Sequence, residues 1–567
     1  MMKRLIALLL ATLLLLSLAA CGRRTKDQET ESVEVEFDDD YQGEMPIVKP
    51  GDEPVTIKIG IHRLANVESY EDNVFTNWLE EQTGINIEFM LFSGSTADAA
   101  KQVSLMITSG EELPDILHPG GISKELADDY GAEGYFLDLK PYFEHYAYYH
   151  TRSFDMFEDK NVYKRAMALA EEPTTGALYN FPFVSHSPLD HPNCHAWINQ
   201  EWLDKLGLKM PRTLDELHEV LIAFRDKDPN GNGKKDEIPM IGKAETAHVD
   251  ILRPLINAYI YWLPAYHFNV TNGKLWTPYD QDEYRQALIY INGLVKEGLL
   301  SELTWTQSSE ELKGLFNPAD GVYRCGVITG NANLTFLPDS PSVYAYEPLP
   351  PFKAETKKGG YGPIFDVNMR FNTFISATCK HPVEALKLLD FMSSPEAILI
   401  GRWGKKGVNW DYSEGGKLGN LGGEAKIKLL TEPVFSTQNN ANWHSTWSVF
   451  SEEDCEYEVE EDGWDAARIK KYLKNRQNYD EAGQPDEIVT YLNYDHETFE
   501  RRTEIAKELT TYVKDRRAQF CTGIQDPNSD AAWQEYLDGL DALCYDEWLG
   551  MAQTAYEKLQ EEINSWG

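Results

Sequence analysis

Residues 228–237 read Asp-Pro-Asn-Gly-Asn-Gly-Lys-Lys-Asp-Glu, a run that sets oxygen donors on alternate positions around two glycines. A hard cation such as calcium takes roughly six to eight oxygens, and an Asp-x-Asn-x-Asn-Gly loop supplies several of them by turning alternate side chains inward around a glycine bend. Asp228, Asn230 and Asn232 fit the inward places, Gly233 the bend, and Lys234 would add its backbone carbonyl. The place where an EF-hand carries its closing glutamate is Pro239, so Asp236 and Glu237 would close the cage instead. Every ligand is then committed to the ion and none is left as an acid or base, which makes the implied calcium structural. The same composition also suits a solvated Asn-Gly turn between a helix and a strand.

Such a loop needs a rigid support, and the preceding residues provide one. Thr213 and Glu216 form a capping box, and Leu214, Leu217, Leu221 and Phe224 share one helical face, so a packed helix ends where the loop begins. Towards the N-terminus, residues 55–60 alternate as a strand, 73–83 read as a helix, 85–92 as a second strand, 101–109 as a helix and 113–117 as a buried strand ending at Pro119-Gly120-Gly121. This alternation predicts an α/β chain with mainly parallel sheets, whose ligands lie beyond the carboxyl ends of the strands. Residues 281–299 read as another amphipathic helix, 321–328 as a strand, and the chain closes on helices running to Tyr556.

Ile198-Asn199-Gln200-Glu201-Trp202-Leu203-Asp204-Lys205-Leu206-Gly207-Leu208, then Pro211-Arg212-Thr213-Leu214-Asp215-Glu216-Leu217, then the 228–237 loop, resembles the solute-binding lipoproteins of bacterial carbohydrate ABC importers. Closest among these are the alginate-oligosaccharide binders and the sugar-uptake lipoproteins of Gram-positive bacteria. Ala177-Leu178-Tyr179-Asn180-Phe181-Pro182, the run from Phe371 through Met392, and Gly407-Val408-Asn409-Trp410 continue the likeness over nearly all of the chain. The resemblance implies a two-lobed type II periplasmic-binding-protein-like fold that holds an oligosaccharide between its lobes and hands it to permease subunits. It implies a first lobe of residues 55–182 plus roughly 325–375 and a second of 183–324 plus roughly 376–567, crossing near Pro182 and Val327. Gly120, at a strand end, becomes a candidate backbone contact or a plain strand-to-helix turn.

Met1 to Ala20 has Lys3-Arg4, an apolar run from Leu5 to Leu18 and small residues at its end, the layout of a secretory leader. The run is shorter than the roughly 20 residues needed to cross a bilayer. Leu18-Ala19-Ala20-Cys21 resembles a bacterial lipobox, which would make Cys21 the lipidated first residue of the mature protein. Two acyl chains anchor a protein stably where one is marginal. Residues 22–54 are acidic and poor in apolar side chains, and read as an extended tether. The expected location is the outer face of the cytoplasmic membrane of a Gram-positive bacterium, as a monomer.

With 53 basic against 92 acidic residues, a net charge of −39, the chain is a poor partner for nucleic acid or an anionic membrane surface, and a neutral oligosaccharide is favoured over a polyanion. About 510 mature residues suit two lobes or more. Six further cysteines are scattered without disulfide-framework or zinc spacing and read mostly as buried thiols. His191, Cys194 and His195 lie close in sequence but lack a fourth metal ligand.

No Gly-x4-Gly-Lys-Ser/Thr loop, Gly-x-Ser-x-Gly elbow or His-Glu-x-x-His pair occurs, which weakens an enzyme reading. A glycoside hydrolase needs only two carboxylates about 5–10 Å apart, so that class stays as the alternative, beside an adhesion lipoprotein with no transport role. A sugar binder should use aromatic rings under its pyranoses. Trp262, Tyr266, Trp305, Trp403, Trp410 and Trp443, in segments with polar or glycine neighbours, are the candidates, with Arg370 and Arg402 beside them.

Overall fold

Ile57, Ile59 and Ile61 are buried while Thr56, Lys58 and His62 reach towards solvent, and this period of two makes β1 (Thr56–His62) the first strand. The computed structural model describes residues 37–566 except 158, 187–194, 245–249, 263–267, 331–336, 338–339, 363–366, 432–437, 444–448, 486, 488 and 490. The leader and Cys21 lie outside it. All elements belong to the unit Tyr41–Gly567.

β1 pairs in parallel with β2 (Asn86–Phe92) and β3 (Ile116–His118), and β12 (Phe374–Ile375) adds antiparallel to β3, giving the order β12-β3-β1-β2. The Val74–Thr83 helix starts at Asn73, whose side chain caps Phe75, and stops at Gly84 in the left-handed region. The Thr96–Ser109 helix starts five residues before its expected place because Ser95 and Asp98 form a capping box. Phe136 stacks on Phe374 at 4.6 Å within the core beneath this sheet.

The second sheet runs β10-β5-β9-β6, from β5 (His195–Asn199), β6 (Ile238–Ile241), β9 (Cys325–Gly330) and β10 (Tyr346–Pro348). β9 is parallel to β6 and antiparallel to β5. Its core gathers Ile198, Met240 and Val327 with Leu217, Leu221 and Phe224 of the Leu214–Asp226 helix, which carries the expected Thr213–Glu216 box. The long His496–Thr522 helix and the first half of the Tyr545–Ser565 helix pack into the same core.

Between the two sheets lies a third, with β4 (Phe183–His186) flanked by antiparallel β11 (Asn368–Arg370) and parallel β15 (Phe450–Ser451). These are the crossing segments. The chain leaves the first sheet at Phe181, whose N–H donates to Thr373, and returns through β11 into β12. The expected return near Val327 is therefore corrected: residues 325–330 are the inner strand of the second sheet, and the crossing lies about 40 residues later. The expected boundary at 376 is corrected too. The Pro382–Phe391 helix packs on the Lys140–Tyr146 and Tyr148–Ser153 helices, and its Asp390 accepts the N–H groups of Tyr149 at 3.1 Å and His150 at 2.8 Å.

Two hairpins complete the strands. β7 (Asn269–Thr271) and β8 (Lys274–Trp276) are joined by Asn272-Gly273, both at positive φ, and β13 (Trp410–Tyr412) pairs with β14 (Ile427–Leu429). Cys325, Cys379, Cys455 and Cys521 are buried free thiols; Cys194 lies outside the described residues. No helix among the described residues is long and apolar enough to cross a membrane.

Candidate ligand-binding site and calcium loop

In α/β sheets the groups just beyond the carboxyl ends of parallel strands are free to meet a ligand, because the strands' own backbone is already paired. In the first sheet those ends are His62, Phe92 and His118. His118 Nδ1 and Thr373 Oγ1 share a 2.6 Å hydrogen bond. Gly120 and Gly121 follow at φ 65° and 70°, and a Cβ on Gly121 would stand 2.4 Å from the Thr96 carbonyl oxygen. Only glycine fits this close approach to the start of the Thr96–Ser109 helix.

In the second sheet, β6 and β9 end at Ile241 and Gly330, beside His195 at the start of antiparallel β5. A cavity of about 40 Å³ opens here, lined by Arg253, Asn257, Thr329, Phe352, Tyr361 and Tyr479, among others. That is space for roughly three water-sized groups, so a sugar would enter it with a substituent and not with its ring. His195 is fully buried next to it. Burial, reinforced by the Arg253 charge, pushes its imidazole down to about 3. Its Nδ1 accepts from the Asn475 amide and lies 3.2 Å from the Tyr479 hydroxyl. The ring is thus neutral, with Nδ1 committed to a polar network and Nε2 buried without a hydrogen-bond partner. His191 and Cys194 lie outside the described residues.

Four of the six aromatic candidates are buried in the structure. Trp443 is buried among Phe75 and Phe89, each at 5.3 Å, and donates its indole N–H to Thr76 Oγ1 at 2.8 Å. Trp410 is buried and donates to the Gly404 carbonyl at 2.8 Å. Trp403 is buried against Tyr457 at 5.3 Å, and Trp262 lies under the Arg517 guanidinium at 4.5 Å. Four rings offered as sugar platforms are thus covered by the protein's own side chains. Polar and glycine neighbours marked irregular segments at Trp262 and Trp443 but not at Trp403, which ends the Pro395–Trp403 helix, or at Trp410, which opens β13. Trp305 is half-buried against the second core, Arg370 is half-buried on crossing strand β11, and Tyr266 lies outside the described residues. Burial lowers the Arg370 guanidinium, with Tyr491 opposing. Arg402 is committed to Glu452 at 3.0 Å. The cavity residues Arg253, Asn257, Tyr361 and Tyr479 were missed. No sequence signal marks them: Arg253 and Asn257 lie on the Leu252–Tyr259 helix and Tyr479 on the Trp464–Ala482 helix, and none stands in a recognisable run.

The 228–237 loop is knotted around its first acid. Asp228 Oδ1 accepts the N–H of Gly231 at 2.8 Å and of Asn232 at 3.1 Å, and Oδ2 accepts that of Gly233 at 2.9 Å. Gly231 and Gly233 both sit at φ 73°, which lets the backbone turn twice in three residues. Asn230 and Asn232 donate their amide groups to Asp236, at 3.0 Å and 2.9 Å, and Arg324 reaches the same carboxylate at 3.2 Å. Lys205 donates to the carbonyls of Asp228 and Pro229 at 3.3 Å and 2.7 Å. Glu237 Oε1 is buried without a hydrogen-bond partner, and burial, then Asp228 and Asp236, raise its carboxyl. Among the described residues no three acidic, imidazole or thiol groups converge as a metal site, so an ion here would also need the Asn230 and Asn232 amide oxygens and the Lys234 carbonyl.

Two α/β sheets joined by three short crossing strands are the architecture of a two-lobed solute-binding protein. Residues 64–398, more than half of the chain, match the bacterial extracellular solute-binding protein family, and the chain belongs to it. A curated relative, the fructooligosaccharide ABC transporter substrate-binding protein FusA of Streptococcus pneumoniae, is 25% identical over 512 residues, covering 86% of this chain and 87% of FusA. An EF-hand mutant of FusA in complex with fructo-nystose superposes with a TM-score of 0.67 at 21% identity, covering 89% of this chain and 99% of that one. An extracellular solute-binding protein from Bifidobacterium longum subsp. infantis gives 0.71 at 20% identity, over 90% and 99%. The alginate-binding protein AlgQ2, solved without calcium ion, gives 0.57 at 21% identity, over 89% and 98%.

Proposed function

We propose that this protein captures an oligosaccharide between its two lobes and delivers it to the permease subunits of an ABC importer, held at the outer face of the membrane by lipid on Cys21. The observation that carries this reading is the near full-length similarity to FusA, 86% of this chain against 87% of that one. In this reading the second-lobe wall is the cavity edge with Arg253, Asn257, Thr329 and Tyr361, and the first-lobe wall is the backbone around Gly120. Trp305, Arg370 and Tyr266 are further candidates. Crossing strands β4, β11 and β15 act as the hinge, since a few residues at element ends can absorb the rotation of two packed bodies. Labelled oligosaccharides incubated with the protein test the class. Stoichiometric retention of an intact sugar supports a binder, and turnover supports a glycoside hydrolase.

The 228–237 loop serves in this reading as a structural calcium site. Support comes from the donor set, from the buried Glu237 oxygen without a partner, and from the EF-hand of FusA and the calcium ion named for AlgQ2. Asp228, Asp236, Glu237, the amide oxygens of Asn230 and Asn232 and the Lys234 carbonyl would hold the ion. Its charge would relieve the mutual repulsion of the three acids.

A further inference from the structure

Lys124 lies on the Lys124–Ala132 helix of the first lobe, with its side chain only 10% exposed. A buried ammonium has to be met by acceptors, and this one has three. It donates to Asp128 Oδ2 at 2.6 Å on its own helix, to the Glu171 carbonyl at 2.5 Å and to Asn493 Oδ1 at 2.8 Å. The three acceptors belong to three different bodies. Asp128 shares its helix with Ala127, part of the core under the first sheet. Glu171 ends the Asn161–Ala170 helix, which packs with β4, β11 and Leu559 in the core around the crossing strands. Asn493 leads into the His496–Thr522 helix, whose Ile505, Leu509 and Val513 lie in the core of the second lobe.

The cluster is closed on itself. The Asn493 amide donates back to the Glu171 carbonyl at 2.6 Å, so both Lys124 and Asn493 converge on one oxygen. Beside it, His496 at the start of the long helix reaches Asp129 at 2.7 Å, a second contact between the same two helices. Asp128 Oδ1 is buried without a hydrogen-bond partner, and Glu125 and Glu172 add like charge nearby, so the Lys124 ammonium is what makes this acidic junction tenable.

We propose that Lys124, Asp128, the Glu171 carbonyl and Asn493, with the Asp129–His496 contact, form a clasp outside the ligand site that fixes the angle between the lobes. Its bearing on ligand affinity rests on the two-lobed binding reading above. A ligand that draws the lobes together has to bend or break the clasp, so Lys124 and Asn493 act as positioning residues for binding without touching the ligand.

Spin labels on cysteines replacing the exposed Leu105 of the first lobe and Ile524 beyond the long helix report the interlobe distance by double electron–electron resonance, in the full chain without ligand. The clasp predicts one narrow distance distribution. Asn493→Ala and Lys124→Met should each broaden it, and the double variant should broaden it no further than the wider single one, because both remove the same junction. An unchanged distribution in folded variants would overturn the clasp. So would loss of the circular dichroism of both variants, since the cluster would then be part of the fold and not a joint. No sugar is used, so a failed clasp leaves the oligosaccharide test intact, and a failed oligosaccharide test leaves the distance measurement valid.

Discussion

Glu237 and His150 show how burial of one titratable side chain becomes a measurable property. Glu237 keeps one oxygen buried without a partner beside Asp228 and Asp236, a cost that calcium would remove. A hundredfold excess of calcium over its dissociation constant would stabilise the native state by about 2.7 kcal/mol. Chelation is therefore expected to lower the melting temperature, and Asp228→Ala with Asp236→Ala to abolish that response. A melting curve unmoved by chelator, or purified protein free of calcium, would reduce the loop to a turn. His150 is fully buried, donates from Nε2 to the Pro182 carbonyl at 2.7 Å, and is pushed down to about 4 by burial. The unfolded chain binds this proton from the ordinary value of 6.5, so it holds more protons than the native state between about 4 and 6.5. The contribution is fully present above 6.5 and is lost as pH falls to 4, up to about 3 kcal/mol. Asp128 and Asp390, both raised to about 7 chiefly by burial, act in the opposite sense and lose stability as pH rises towards 7. The His150 share is isolated by comparing His150→Gln, which can still donate to Pro182, with the native chain. The variant should lose less stability between pH 6.5 and 4.5, and identical pH profiles would contradict the assignment.

At the scale of elements, Trp443 belongs to the first-lobe core, and Trp443→Ala is expected to cost about 3–5 kcal/mol while leaving the number of sugars bound per chain unchanged. Loss of binding with unchanged melting would return it to the ligand site. Gly121→Ala should cost about 2–3 kcal/mol, since the added methyl meets the Thr96 carbonyl at a positive φ. A neutral melting temperature would show that the turn can move. Much of this level was legible in the sequence. The alternation of Ile57, Ile59 and Ile61, the Thr213–Glu216 box and the Leu214-to-Phe224 stripe each state their element locally, because helix and strand periods are local properties. The partner of each element is not local. Residues 325–330 read as a strand, but their pairing with β5 and β6 depends on contacts more than 80 residues away, so they were assigned to the wrong lobe. The indoles failed for the same reason. Glycine and polar neighbours do not fix the local element, since Trp403 ends a helix and Trp410 opens a strand, and whether a ring faces a cleft or a core is decided by distant chain such as Phe75 against Trp443. The loop at 228–237 was visible because all of its donors come from ten consecutive residues.

For the whole molecule, the cores under the two sheets are bridged, among the described residues, by the three short crossing strands and by a further core around them, where the Asn161–Ala170 helix packs on the C-terminal helix. The net charge of −39 favours a neutral ligand at long range, while Arg253 at the second-lobe cavity and Arg370 on β11 provide local positive charge. A screen should therefore include both neutral and uronic-acid oligosaccharides. The most direct measurement is equilibrium dialysis of the full-length protein against labelled members of both classes, with chemical analysis of the recovered sugar. Capture for transport predicts that at least one is retained at one molecule per chain and recovered intact. Shortened sugar in the dialysate, or no retention of any member by folded protein, would contradict it.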